Sequence, residues 1–570
     1  MSEKPLIVQS DRTVLLETHS PLAAQARTAL APFAELIKSP EHIHTYRLTP
    51  LSIWNARSAG LQAEAMVKAL REFAKYPVPE VVAREIEELA GRYGRVVIER
   101  PPAAADESAA QGGEADHLLV RVAEVPLAEL LSRDKAVSHL LRERVAPTRF
   151  RVEVGHRGLL KQALVAAGYP AEDLAGYVSG ETLAIRLRAV SASQDPFVLR
   201  AYQREAVEAF YQAGSERGGS GVVVLPCGAG KTIVGLAAMA AVGGTTLVLT
   251  TSRTAVTQWR REILDKTDLP ADAIAEYTAE RKDVGPVTLS TYQILTHRPS
   301  READFPHFTL FQARRWGLII YDEVHLLPAP VFRITADLQA RRRLGMTATL
   351  VREDGREGDV FALIGPKRYD APWRDLEGEG WIATAVCTEV RLPLPEPLRM
   401  NYALADGRAR FRIAAENPAK VGVVCDLLAK VPEGRVLIIG EYLEQLERLA
   451  ADLGYPLVTG KTPQAIREAL YQKFRQGEIR HLVLSRVGNF ALDLPDADVL
   501  IQVSGTFGSR QEEAQRLGRI LRPKADGRQA RFFTLVSRET REEDFARHRQ
   551  LFLTEQGYSY RLELLDNDSG

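Results

Sequence analysis

Residues 225–232 carry the residue types that bind phosphate. They follow one apolar run, precede another at 233–241, and read Leu225-Pro226-Cys227-Gly228-Ala229-Gly230-Lys231-Thr232. A strand, a glycine-rich turn and a helix in this order place backbone N–H groups and a helix N-terminus around phosphate oxygens. We expect Lys231 to reach the β- and γ-phosphates of ATP and Thr232 to ligate Mg²⁺. The match is incomplete, because Leu225 stands where the common pattern has its first glycine.

An acidic pair further along the chain completes the predicted site. Asp322 and Glu323 come directly after the apolar run 318–321, about 90 residues after Lys231. A strand there would deliver Asp322 to the metal ion and place Glu323 beside it, where a carboxylate can polarise an attacking water. The loop and the acidic pair in this order therefore predict ATP hydrolysis.

Two further segments of the same region are candidates for the site. Gln203 lies about 30 residues before Lys231. Its amide could bind the edge of adenine, although an isolated glutamine is more often a solvated helix residue; its position favours the functional interpretation. Thr347, Ala348 and Thr349 follow an apolar strand. In nucleic-acid motors a small hydroxylic turn of this kind links the nucleotide site to the face that binds the nucleic-acid strand.

A basic cluster near the C-terminus has the spacing Q-x-x-G-R-x-x-R, with the polar positions Gln515, Arg516, Arg519 and Arg522. An arginine from a second domain can neutralise charge on a phosphate that the first domain holds. The alternative is a basic helix face that pairs with Glu512 and Glu513. The position of the pattern downstream of Asp322 and Glu323 favours a catalytic role for Gln515, Arg519 and Arg522.

Length, charge, cysteine count and the absence of long apolar runs limit which kinds of protein this chain can be. The 570 residues predict three or four domains. The 74 basic and 74 acidic residues cancel, so binding of nucleic acid would depend on local basic patches. The three cysteines, Cys227, Cys387 and Cys425, have no C-x-x-C spacing, which excludes a four-cysteine iron–sulfur or zinc site. Because there is no apolar run of about 18 residues and the N-terminus is polar, we expect a cytoplasmic protein without a membrane span or signal peptide.

The pattern along the chain changes several times. Helical apolar spacing occurs before residue 100, small acidic residues without Lys or Arg fill 101–116, and short strands and helices mix up to 190. From about 195, short apolar strands alternate with longer helices, which is typical of doubly wound α/β domains. The predicted order is a mainly helical domain (1–100), a flexible acidic linker (101–116), a small α+β domain (117–190) and two RecA-like parallel-sheet domains (195–384 and 385–570).

Several runs closely resemble the XPB family of superfamily 2 helicases. In the first α/β domain these are 316–325, which includes His325, 344–354 and 364–367. In the second they are 485–489, 492–495, 499–502 and 508–519, in the order of that family's helicase motifs. The segments 5–11 and 39–47 resemble the bacterial branch of the family, so the resemblance covers nearly the whole chain. It implies an ATP-dependent motor with 3′–5′ polarity on forked or partly single-stranded DNA, acting in nucleotide excision repair or DNA opening.

The resemblance also implies roles for two segments outside the ATP site. Arg352, Glu353 and Asp354 match the family's RED motif for strand separation, whereas an ordinary loop would leave them simply solvated. Residues 396–416 occupy the place of a thumb-like insertion; arginines beside Phe411 suit a surface that follows the DNA backbone and stacks on a base, and a plain interdomain connector is the alternative. The 117–190 domain corresponds to a damage-recognition-like domain.

Three functions remain open at this stage. The favoured one is a DNA-stimulated ATPase that unwinds DNA, and the closest alternative is a translocase on double-stranded DNA that does not unwind it stably. A third is an ATP-gated clamp or scaffold that recruits a nuclease. An RNA helicase is disfavoured by the family resemblance. Unwinding of a tailed duplex separates the first two, and full repair activity in an ATPase-dead variant would support the third.

Overall fold

The protein is described here by a computed structural model covering residues 3–38, 42–101, 117–177, 180–226, 228–300, 305–338, 341–348, 357–371, 373–431, 434–485, 497–505, 529–555 and 559–565. The chain forms two compact units. The first holds nearly all residues up to Ala371, and the second holds Pro372–Gly570.

The first region of unit one combines helices with a small sheet. Its elements are β1 (Leu6–Val8), β2 (Thr13–Glu17), α1 (Ala23–Leu30), β3 (Glu35–Lys38), β4 (Ile43–Arg47), α2 (Pro50–Ser58), α3 (Ala63–Phe73) and α4 (Glu80–Arg92). The strands form a sheet in the order β1-β2-β4-β3. Helices are present, but the helical spacing at 21–37 covers only one short helix, α1, and then strand β3. That spacing gave no sign of the four-stranded sheet, so the region is α+β rather than mainly helical.

The second region is a compact α+β fold, as the strand and helix periodicity predicted. It contains β5 (Val96–Glu99), β6 (His117–Val122), α5 (Val125–Arg133), α6 (Lys135–Ser138), β7 (Glu143–Ala146), β8 (Arg149–Glu153), α7 (Arg157–Ala166) and β9 (Glu172–Asp173). Its sheet order is β7-β8-β6-β5-β9. Because β5 pairs with β6, the chain enters this region before residue 100. The predicted linker 101–116 falls almost wholly outside the described residues.

The third region of unit one is a doubly wound parallel sheet. Its elements are α8 (Ala201–Tyr211), β10 (Ser220–Val224), α9 (Lys231–Val242), β11 (Thr246–Thr250), α10 (Arg253–Lys266), β12 (Ile274–Tyr277), β13 (Val287–Thr291), α11 (Tyr292–Thr296), β14 (Leu318–Asp322), α12 (Ala329–Asp337), β15 (Arg342–Thr347), α13 (Glu357–Leu363) and β16 (Lys367–Asp370). The order is β12-β13-β11-β14-β15-β10-β16, and every pair is parallel. Its central strands are buried on both faces, which explains their continuous apolar runs. The carboxyl ends of β10, β14 and β15 meet at one edge of the sheet.

Unit two repeats this architecture. Its elements are α14 (Trp373–Gly378), β17 (Ala385–Leu392), α15 (Glu396–Leu404), α16 (Gly407–Ala415), α17 (Ala419–Ala429), β18 (Val436–Ile439), α18 (Leu443–Leu453), β19 (Leu457–Val458), α19 (Gln464–Gln476), β20 (His481–Leu484), β21 (Val499–Gln502), β22 (Ala530–Ser537), α20 (Arg541–Glu555) and β23 (Ser559–Leu564). The parallel sheet has the order β19-β20-β18-β21-β22-β17-β23. The predicted fold class, with two doubly wound parallel-sheet domains, is confirmed.

A buried charge cluster joins the small α+β region to the third region. Asp173 accepts two hydrogen bonds from the Arg157 guanidinium at 2.9 and 2.6 Å and lies 3.2 Å from Lys161 Nζ. The Tyr177 ring lies 5.9 Å from the Arg157 guanidinium carbon and 6.0 Å from that of Arg343 on β15. Burial would raise the pKa of Asp173, but Arg157 and Lys161 outweigh it and hold the pKa well below its ordinary value. The cluster therefore fixes the small region to the parallel sheet that carries the candidate site.

We predict that Asp173→Asn lowers the free energy of unfolding of unit one by about 3–5 kcal/mol, because it leaves buried cations without a countercharge. Urea unfolding of the full chain measures this. Glu172→Gln is the matched control. Glu172 Oε1 lies 2.8 Å from Nη2 of Arg217, whose side chain is 62% exposed, so the loss of unfolding free energy should be only about 0–1 kcal/mol. Since the pKa of Asp173 is depressed, the pair stabilises the fold above the ordinary aspartate pKa of about 3.9, and this stabilisation is lost as the pH falls below it. Equal losses of unfolding free energy in the two variants would contradict a structural role for the buried charge cluster.

Candidate active site

The loop between β10 and α9 has the backbone of a phosphate cradle. Gly228 and Gly230 have φ values of 83° and 79°, which glycine adopts without steric cost. Helix α9 begins at Lys231, and among the described residues no side chain caps it, so its first N–H groups can face an anion. Leu225 is fully buried and donates its N–H to the Thr347 carbonyl at 2.9 Å, so this position serves the core. The geometry fits a phosphate chain although the first glycine of the pattern is missing. Pro226 and Ala229 are described within the loop, and Cys227 is not.

Gln203 lies directly against this loop. A Cβ built on Gly230 would stand 2.8 Å from Gln203 Nε2. The Gln203 side chain is 4% exposed, and its Oε1 accepts the Arg200 N–H at 3.0 Å. Gln203 is therefore a buried neighbour of the phosphate loop and not a solvated helix residue. Its contact with adenine stays a prediction.

The acidic pair occupies the carboxyl end of β14. Asp322 is the last residue of the strand, and Glu323 has φ 51° in the left-handed region. That conformation is uncommon for a non-glycine residue and costs on the order of 1–3 kcal/mol. The turn brings Glu323 Oε1 to 3.4 Å from Lys231 Nζ, although the two residues are far apart in the sequence. The predicted phosphate-binding lysine and the predicted base are thus neighbours.

The two carboxyl groups have different protonation behaviour. Burial, together with the adjacent Glu323 charge, raises the pKa of Asp322 to about 6. Burial also opposes ionisation of Glu323, but the Lys231 ammonium and the His325 ring outweigh it and lower the pKa of Glu323. Glu323 is therefore the member of the pair that ionises more readily. An ionised carboxylate can orient a water and accept its proton.

His325 connects the acidic pair to the end of β15. Its Nδ1 lies 2.6 Å from Thr347 Oγ1 and 3.6 Å from Glu323 Oε2, and the ring is buried. The backbone N–H of Ala348 also hydrogen-bonds to Glu323. His325 and the Ala348 backbone therefore contact Glu323, and Thr347 contacts His325. Thr349 lies outside the described residues.

One residue of the site was missed by the sequence interpretation. Trp259 on α10 donates its indole N–H to Asp322 Oδ2 at 3.0 Å. It stands at helical spacing with Ala255, Val256 and Ile263, all of them buried. A buried tryptophan in such a stripe is normally a core residue, and the sequence contained no signal for its polar contact.

The donors present suit a magnesium ion that also binds phosphate. Asp322 supplies a carboxylate, and Thr232, the second residue of α9, supplies a hydroxyl. Mg²⁺ prefers such oxygen ligands, usually only one or two of them from protein. In the described part of the chain no group of three or more His, Cys, Asp or Glu side chains could hold a metal ion on its own. Metal binding here would thus depend on phosphate oxygens as well as on protein ligands.

The predicted DNA-binding elements are only partly described. Arg352, Glu353 and Asp354, together with Gln515, Arg519 and Arg522, lie outside the described residues, and their roles stay predictions. Residues 396–416 form α15 and α16. The interpretation of Phe411 as a base-stacking residue is wrong: it is buried, with its ring centroid 6.4 Å from that of Tyr442 and 5.2 Å from that of Phe545. The Arg412 side chain contacts Glu416 and Glu444, and Arg408 is exposed.

Among the described residues, every helix is too short or too polar to span a bilayer.

Three protein-family models match parts of the chain. One, described as the ERCC3/RAD25/XPB C-terminal helicase, matches residues 376–567. A second, described as a helicase conserved C-terminal domain, matches residues 6–146. The third, described as the res subunit of type III restriction enzymes, matches residues 196–352.

Similarity to curated proteins extends along the whole chain. A protein of Kineococcus radiotolerans named DNA 3'-5' helicase XPB is 52% identical over 570 residues, which are 100% of this chain and 98% of the relative. The Mycobacterium tuberculosis protein of the same name is 52% identical over 569 residues, with 100% and 99% coverage. An Antonospora locustae protein, named general transcription and DNA repair factor IIH helicase/translocase subunit XPB, is 35% identical over 578 residues and 81% of its length is covered.

We predict that Lys231→Ala abolishes ATP turnover and leaves the fold and DNA binding intact. The lysine side chain faces Glu323 and the phosphate cradle, so its loss removes a phosphate contact without opening the core. Steady-state ATPase, circular dichroism and DNA binding by fluorescence anisotropy measure the three properties. Ordinary turnover by the folded variant would remove the assignment of this loop.

We also predict that Thr347→Val reduces DNA stimulation of ATPase more than basal ATPase, because it removes the hydroxyl that His325 contacts while keeping the side-chain volume. Thr335→Val is the matched control: it deletes an equally buried hydroxyl, which lies 3.1 Å from Tyr321 Oη. Both should lose about 1 kcal/mol of stability. The ratio of DNA-stimulated to basal rate should fall only in Thr347→Val, and an equal fall in the control would contradict the coupling role.

Proposed function

Because the chain belongs to the XPB family of helicases, we propose that it is an ATP-dependent DNA helicase that moves 3′–5′ and acts in DNA repair. The observation that carries the proposal is the convergence of Lys231, Glu323 and His325 at the carboxyl edge of the first parallel sheet. Open α/β sheets bind ligands at this edge. The two bacterial relatives named as DNA 3'-5' helicases match this chain over its full length, which supports the same activity here.

ATP is the proposed substrate and Mg²⁺ the proposed cofactor. Lys231 and the N–H groups at the start of α9 would hold the phosphates, and Gln203 would bind the adenine. Thr232 and Asp322 would hold Mg²⁺, which neutralises negative charge on the phosphate oxygens. Glu323, kept ionised and held by a left-handed turn, orients the attacking water and accepts its proton. Gln515, Arg519 and Arg522 would add charge stabilisation from the second parallel-sheet domain.

His325 and Thr347 provide a route from hydrolysis to DNA. The Glu323 carboxylate is contacted by His325 and by the backbone of Ala348, so a change at the phosphates alters the same bonds that fix the end of β15. The chain continues from β15 into Thr349 and the Arg352-Glu353-Asp354 segment, to which we assign strand separation. Coupling through a short chain of buried hydrogen bonds requires two discrete arrangements of those bonds.

The second candidate is a double-stranded DNA translocase. The Antonospora locustae relative carries both words, helicase and translocase, in its name, and the same ATP site serves either activity.

A nuclease partner also fits a role in repair, where strand opening precedes incision. DNA as substrate further suggests a cytoplasmic location beside a bacterial chromosome.

Two assays test the proposal. ATPase rates are compared with single-stranded, duplex and forked DNA and with RNA, and strand displacement is followed on duplexes with a 3′ or a 5′ tail. We expect stimulation by DNA rather than RNA, and displacement from the 3′ tail only. The Lys231→Ala variant gives the rates of ATP hydrolysis and strand displacement that do not depend on this site. DNA-stimulated ATPase without displacement on either duplex would favour the translocase.

We predict that Arg352→Ala and Asp354→Ala lower unwinding much more than DNA-stimulated ATPase. These residues follow β15 in the sequence, and the family resemblance assigns them to strand separation rather than to ATP binding. Rates of strand displacement and of ATP hydrolysis, measured with the same forked substrate, give the ratio. Equal losses in both rates would place the triplet in the nucleotide site or the scaffold.

A further inference from the structure

The contact between Trp259 and Asp322 is unusual for a core tryptophan. The Trp259 side chain is 1% exposed, and its N–H reaches Oδ2 of Asp322 at 3.0 Å. Trp316, equally buried in the same sheet domain, donates instead to the Leu310 backbone carbonyl at 3.0 Å. What distinguishes Trp259 is the acceptor of its indole N–H, which is a carboxylate of the candidate active site.

The other contacts of Asp322 fix its backbone and its second oxygen. Tyr292 Oη donates to the Asp322 carbonyl at 2.9 Å, and the Glu323 N–H donates to Oδ1 at 3.1 Å. Trp259 donates to the carboxylate itself from its side chain. Because a carboxylate rotates about its terminal bond unless both oxygens are held, Trp259 and the Glu323 N–H together set the direction of its remaining lone pairs.

Helix α9 provides a second observation. Gly235 lies in its middle, where glycine weakens a helix relative to alanine. A Cβ at Gly235 would stand 2.4 Å from Cη2 of Trp259 and 3.3 Å from Cε of Met346. The missing side chain allows the indole ring to lie against α9, the helix that begins with the phosphate-binding Lys231. Helix α9 therefore positions the indole ring, and the N–H of that ring orients the Asp322 carboxylate.

We propose that Trp259 is a positioning residue of the magnesium site, whose indole N–H holds the Asp322 carboxylate in the orientation that ligates Mg²⁺. This inference rests on the proposed function. Hydrogen-bond donors behind metal ligands orient those ligands, and their loss typically weakens metal affinity or activity by about 10- to 100-fold. In this proposal Asp322 is the metal ligand and Trp259 does not touch the metal. Gly235 leaves the space that the Trp259 ring occupies.

The test compares Trp259→Phe with Trp316→Phe in the full chain. Both variants lose one buried indole hydrogen bond and keep an aromatic ring, so their losses of thermal stability should be similar. Affinity for a fluorescent, non-hydrolysable ATP analogue is measured in EDTA and in saturating Mg²⁺. We expect Mg²⁺ to strengthen binding in the wild type and in Trp316→Phe, and this enhancement to fall by about 10- to 100-fold in Trp259→Phe. Binding in EDTA should be the same in all three.

A measurement on the wild type does not depend on the folding of any variant. With ¹⁵N-labelled indole groups, addition of Mn²⁺ and the analogue should broaden the Trp259 signal more than that of Trp316, because paramagnetic broadening falls steeply with distance and Trp316 lies at the opposite end of β14 from Asp322. An unchanged Trp259 signal, or the same Mg²⁺ enhancement in both variants, would overturn the inference while leaving nucleotide binding intact. Absence of analogue binding in the wild type would overturn the proposed function itself.

Discussion

The turn at the carboxyl end of β14 is the constraint on which the candidate active site depends. Asp322 ends a strand that lies between β11 and β15, and Glu323 adopts a left-handed conformation immediately after it. This conformation separates two adjacent side chains into different environments. Asp322 faces Trp259, and Glu323 faces Lys231 and His325. Two neighbouring carboxyl groups can thus act as a metal ligand and as a base, because their surroundings set their pKa values apart.

At two places in unit one, nearby cationic side chains compensate for the burial of a carboxylate. At the site, Lys231 and His325 counter the burial of Glu323; at the junction of the small α+β region with the parallel sheet, Arg157 and Lys161 counter the burial of Asp173. At the junction, removal of Asp173 leaves buried cations without a countercharge, which makes the fold sensitive to that single substitution. The junction cluster is structural, since no predicted site residue belongs to it. It holds the small α+β region in a fixed position on the sheet that would hydrolyse ATP.

The sequence predicted the parts of the site that follow from local pattern. Apolar runs end at the phosphate loop, at Asp322 and at Thr347, and the loop and the acidic pair were predicted to form one site. The structure brings all three together because parallel strands share one carboxyl edge. Contacts that depend on tertiary packing could not be predicted. Trp259 has the helical spacing of a core residue, and Phe411 sits among arginines in the sequence although its ring is buried. The sheet of the N-terminal region was missed because its strands, β1 to β4, have only 3 to 5 residues each and lie among stronger helical patterns.

Single-turnover hydrolysis by Glu323→Gln tests the central claim most directly. The substitution keeps the size of the side chain and removes its charge, so nucleotide and DNA should still bind. Glu181→Gln is the matched control, since Glu181 pairs with Arg314 on the same domain, away from Lys231. We expect hydrolysis of bound ATP to fall by about 10²- to 10⁴-fold in Glu323→Gln and to stay unchanged in Glu181→Gln. Hydrolysis at the wild-type rate by a folded, nucleotide-bound Glu323→Gln variant would contradict this claim.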